Sequence, residues 1–105
     1  MNEFLVVLTT TGTKAEAETI GKTLVEEGLA ACINIVHPLT SIFKWQGRLE
    51  QTEEALLLMK SARALYERLE TRLKQLHSHQ VPEIIALPLV LGSPEYLKWV
   101  NEICR

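Results

Sequence analysis

Between Ala30 and Lys60 the chain carries two long extended segments joined by a turn at Gln46-Gly47. A glycine-containing pair between two such runs is a β-hairpin signal. Each arm runs to roughly a dozen residues or more, and at about 3.3 Å per residue the hairpin spans on the order of 40–50 Å. A compact domain of this size has a radius of gyration near ~13 Å. One small domain cannot cover both ends of such a hairpin, and the simplest cover is another copy of the same chain.

The segments around the hairpin set the fold class. Phe4–Thr10 is a short apolar, β-branched run bounded by Thr11-Gly12, which suits a buried strand. Thr13 followed by Glu16 forms a capping-box pattern, Ala17, Ile20, Leu24 and Val25 recur at helical spacing, and Gly28 supplies the stop. Pro38 interrupts the first hairpin arm, so a kink, bulge or exposed edge is expected there. The second arm begins polar and becomes solidly apolar at Ala55–Met59, as in a strand covered on both faces. Ser61 is expected to open a second helix with Leu65, Leu69, Leu73 and Leu76 on one face. Ile84–Val90 reads as a last strand with Pro88 at an edge or end, and Ser93-Pro94-Glu95 as the start of a short third helix.

The resulting order is an α+β, ferredoxin-like split βαβ sandwich, βαββαβ plus a C-terminal helix, in a single domain over residues 1–105. Right-handed crossovers place both main helices on one face of the sheet. The other face must be wet or covered by association. Val7, Ile33, Ile35, Leu56, Leu58 and Ile84 are too apolar for a wet face, which again points to an oligomer.

Composition narrows the function classes. The net charge of −2 argues against general affinity for nucleic acid or an anionic membrane. The sheet order is shared with RNA-recognition domains, but Ala55–Met59 carries no stacking aromatics. The apolar runs are far too short to span a bilayer. Cys32 and Cys104 lack framework-like spacing and the first residues lack a basic leader, so a cytoplasmic setting is expected.

Several segments jointly resemble the CutA divalent-cation tolerance family: Gly28-Leu29-Ala30-Ala31-Cys32-Ile33-Asn34-Ile35, Ser41–Gly47, Glu54–Lys60, Val81–Ala86 and Tyr96–Trp99. The resemblance runs in order along essentially the whole chain. It implies a ferredoxin-like fold, a tight homotrimer whose hairpins reach into neighbouring subunits, an architecture like that of PII signalling proteins, and a link to tolerance of copper and other divalent cations. One departure stands out. The family pattern His-Pro-Tyr ahead of Val-Pro-Glu becomes His77-Ser78-His79, which loses a tyrosine hydroxyl and gains an imidazole.

Copper(II) favours imidazole nitrogen and copper(I) favours thiolate, so the candidate metal ligands are His77, His79 and Cys32, with His37 a further imidazole. His77 and His79 are two residues apart and share a side of an extended backbone. Solvated loop histidines are the alternative reading, and Cys32 also suits a small buried hydrophobe. No cofactor is required; copper or another divalent metal ion is the candidate ligand. Lys60 and Glu83 lie at the ends of apolar strands and, with Phe43, are the candidate lining of an intersubunit cleft for a small anionic ligand. Trp45, an aromatic beside the turn, is the candidate trimer-interface anchor. Glu50, Glu53 and Glu54 read as a solvated arm, and no serine–histidine–acid pattern is visible, so no catalytic residue is assigned. Two functions remain in play: a non-catalytic metal-responsive trimer, and a PII-like signalling trimer with a small ligand at its clefts.

Overall fold

The computed structural model describes residues 3–105. Strand β1 (Phe4–Thr11) alternates half-buried and buried side chains along its length, as a strand between two apolar environments does. Helix α1 (Lys14–Glu26) starts at Thr13, whose hydroxyl accepts from the Glu16 N–H at 3.1 Å. Only half of the expected capping box forms, because the Glu16 carboxylate is turned toward Ser78 instead. At the other end Gly28, at φ +74°, closes a Schellman motif: its N–H donates to the Val25 carbonyl, and that of Leu29 to Leu24, both at 3.0 Å.

Strands β2 (Cys32–Trp45) and β3 (Arg48–Ala62) form the hairpin. Its two-residue turn has positive φ at both Gln46 (50°) and Gly47 (78°), the handedness that matches strand twist. The Pro38 expectation is met by a register shift between Val36 and Leu39, on a strand that forms the sheet edge. A 3-10 turn (Arg63–Leu65), α2 (Tyr66–Leu76), β4 (Ile85–Pro88) and α3 (Pro94–Ile103) complete the chain. Ser93 caps α3 with Pro94 in its first turn, as expected.

Two elements differ from the sequence reading. Ser61 does not open the second helix; it is buried in β3 and donates to the Leu29 carbonyl at 2.7 Å. Pairing with β1 as far as Phe4↔Ala62 carries the strand past that residue. β4 also spans only Ile85–Pro88, because its antiparallel pairing with β1 ends at Leu5↔Pro88.

The sheet is antiparallel throughout, ordered β2-β3-β1-β4. Its helix-covered face contributes Leu5, Val7, Leu57 and Met59 to the core, against Ile20 and Leu24 of α1 and Leu69 and Leu73 of α2. Val7, Ile33, Ile35 and Ile84 belong to this covered side or pack against it, so they are not the residues that await a partner. The opposite face instead presents Val6, Leu8, Leu56 and Leu58, all half-buried, with Val36, Ile85 and Leu87 exposed. An uncovered apolar face exists, and of the residues expected on it Leu56 and Leu58 do lie there.

The buried hydroxyl of Thr9 makes no hydrogen bond among the described residues. An orphaned buried hydroxyl costs roughly 1–3 kcal/mol. Thr9→Val is therefore expected to stabilise the fold by about 1 kcal/mol, read as a higher urea midpoint at unchanged slope.

Candidate functional site

The outer half of the hairpin, from Leu39↔Glu54 to Trp45↔Arg48, pairs only with itself. It gives the subunit a long axis of 44 Å against 25 and 23 Å, and a radius of gyration of 14.2 Å. Trp45 at its tip is 61% exposed, and Ile42, Phe43 and Leu49 stand out beside it. A lone two-stranded ribbon is marginal in water. This one exposes apolar side chains that a covering surface would bury.

The structure gathers some of the candidate site residues and separates others. His77 follows α2 and is buried. Its Nε2 lies 2.7 Å from the Thr10 carbonyl oxygen, which can only accept, so Nε2 carries the proton. Nδ1 then accepts from the His79 N–H at 3.0 Å. Both ring nitrogens are engaged, and a metal at Nδ1 would have to displace that N–H. The His79 ring is tilted against His77 with centroids 4.9 Å apart, and its nitrogens make no hydrogen bond among the described residues.

Glu16 completes this cluster from the start of α1. Its carboxylate accepts from the Ser78 N–H at 2.9 Å and the Ser78 hydroxyl at 3.1 Å, and lies 3.7 Å from His77 Nδ1. Burial on its own raises the Glu16 pKa. The Ser78 bonds and the His77 and His79 rings outweigh it, so the net shift is downward. Sequence reasoning did not find Glu16 here, because the contact joins residues 62 positions apart.

Cys32 lies elsewhere. It pairs with Lys60, which pairs with Val6, whereas the His77 contact is to Thr10. Four residues along β1 and two strand spacings separate them, about 13 Å along and about 10 Å across. His37 sits at the bulge, 3.8 Å from Glu53 across the hairpin. No group of three potential metal ligands converges among the described residues.

The cleft residues are also apart within one chain. Phe43 pairs with Glu50, ten residues from Lys60 along β3, or about 33 Å. Glu83 is exposed in the loop before β4. Lys60 donates to the Asn34 side-chain oxygen, and Cys32 Sγ lies 3.9 Å from that oxygen. Any cleft uniting Lys60, Glu83 and Phe43 needs more than one copy. Among the described residues no helix is long and apolar enough to cross a membrane.

Known proteins with this architecture are readily found. A family model described as "CutA1 divalent ion tolerance protein" matches residues 5–103. The "Divalent-cation tolerance protein CutA" of Thermus thermophilus is 50% identical over 97 residues, 92% of this chain and 94% of its own length. A "Protein CutA homolog" of Xenopus laevis is 41% identical over 87 residues, 83% of this chain but 58% of the longer relative. The solved structure of the Thermus thermophilus protein superposes with a TM-score of 0.95 at 48% identity, covering 97% of this chain and 99% of that one. CutA1 from Oryza sativa superposes at 0.96 with 34% identity, covering 98% and 94%. With a family match across nearly its whole length and the same sheet order and helices in its relatives, this chain belongs to the CutA1 divalent ion tolerance protein family.

Proposed function

We propose that this protein is a homotrimer that binds or responds to copper and other divalent metal ions without catalysing a reaction. The observation that carries the assembly reading is the bare apolar sheet face beside a hairpin whose outer half has no cover of its own. Relatives named for divalent-cation tolerance supply the metal class. The His79 imidazole, free and next to His77 and Glu16, is the accessible nitrogen ligand, in keeping with copper(II) chemistry. Cys32 would act as a separate thiol site or join through another copy. The non-catalytic reading is supported by Ser78, whose hydroxyl is spent on Glu16 rather than on an imidazole base. The two free cysteines favour the cytoplasm for this chain, although relatives carry the words chloroplastic and periplasmic in their names.

Copper(II) calorimetry tests the metal reading on wild type, His79→Ala and a His77→Ala/His79→Ala variant. One site per chain is expected to vanish in both variants. Unchanged stoichiometry and affinity would remove the histidines from the account.

A second reading is favoured by one observation. Lys60 has no carboxylate partner among the described residues. A PII-like signalling trimer would use it with Glu83 and Phe43 to hold a small anionic ligand between subunits.

A further inference from the structure

On the sheet face that the helices leave bare, one charged group stands among apolar neighbours. Lys60 is half-buried between Leu58 and Ala62 along β3, with Val6 opposite on β1 and Cys32 opposite on β2. Its ammonium donates to the Asn34 side-chain oxygen, which leaves the Asn34 amide hydrogens free to donate. From α3, Tyr96 neighbours Cys32; burial first, and then that sulfur, raise the pKa of its phenol, whose O–H is a hydrogen-bond donor. Ammonium, amide and phenol thus converge at the base of the hairpin from β3, β2 and α3.

What this cluster lacks is a negatively charged acceptor. The ion pairs among the described residues involve Arg72, Lys74, His37 and His77, not Lys60. On the same strand parity of β3, Glu54 and Glu50 lie six and ten residues away, about 20 and 33 Å. An ammonium covered by apolar surface without a counter-charge is costly, whereas one flanked by neutral donors is a cradle for a planar oxyanion.

We propose that Lys60, Asn34 and Tyr96 form a carboxylate-binding site at the base of the hairpin. It rests on the reading of the bare face as a subunit interface, and it places the anion at α3 rather than beside Glu83 in the β4 loop. The carboxylate has two possible sources, a free small carboxylate or a glutamate of a second copy. Both meet the same donors.

The test is calorimetric titration of wild type, Lys60→Met and Tyr96→Phe with citrate at constant ionic strength. Particle mass and melting temperature are measured in parallel. A free-carboxylate site gives citrate binding to wild type that weakens at least ten-fold in Lys60→Met and measurably in Tyr96→Phe, with particle mass unchanged. A carboxylate from a second copy gives no citrate heat, and Lys60→Met then melts about 5 °C or more below wild type at low salt, with the gap closing at high salt. The proposal is overturned if wild type gives no heat and Lys60→Met melts at the same or a higher temperature, as expected when an unpaired ammonium leaves an apolar face. A one-chain wild-type particle overturns the interface reading separately, since the citrate titration still scores Lys60.

Discussion

Trp45→Glu is expected to break the particle into smaller species while leaving each subunit folded. The indole belongs to neither core cluster and is 61% exposed in the subunit, so its replacement removes no intrachain packing of consequence. A tryptophan offers roughly 150–250 Å² for burial, and at about 25 cal/mol per Å² the exposed share contributes about 2–4 kcal/mol per chain when covered. In the proposed trimer three chains lose that contribution together, and each gains a carboxylate facing an apolar surface. The association constant should fall by a factor on the order of 10⁴ or more. Sedimentation at a few concentrations, with circular dichroism as the check on folding, reads both halves of the result. A variant that assembles like wild type would take Trp45 out of the interface.

His77→Ala is expected to act inside the subunit instead. The side chain is fully covered, and truncation leaves the Thr10 carbonyl and the His79 N–H without their partner as well as opening a cavity. A loss of about 2–4 kcal/mol follows from the cavity and the two unpaired groups. Urea denaturation of wild type and variant measures it. His79→Ala, whose ring is exposed, should cost less than about 0.5 kcal/mol. The contrast separates the two histidines: one holds the loop to β1 and α1, and the other is available to a ligand. Equal losses at the two positions would contradict that division.

Local chemistry made much of this fold legible in the sequence. Gly28 ends α1, Gln46-Gly47 turns the hairpin, Pro38 marks the bulge and Ser93-Pro94 starts α3, each through a backbone preference that needs no tertiary context. The parity of the sheet was harder to read, because β1 and the inner half of β3 are apolar on both faces and alternation gives no signal there. Ser61 looks like a helix cap when its neighbours in sequence are considered alone. Pairing with β1 extends the strand across it, and the Leu29 carbonyl takes its hydroxyl. The His77 surroundings were invisible for a related reason: Thr10, Glu16 and Ser78 meet only once α1 and α2 have packed on the same side of the sheet. The converse holds for Lys60 and Phe43, which share one hairpin yet lie about 33 Å apart along it.

The assembly, the intersubunit cleft and the Lys60 cradle are all read on the premise that the bare face and the hairpin are covered by copies of the same chain. Multi-angle light scattering of the wild-type protein at micromolar concentration tests that premise most directly. A mass of three chains per particle, held across dilution, is the predicted result. A stable particle of one chain would contradict it.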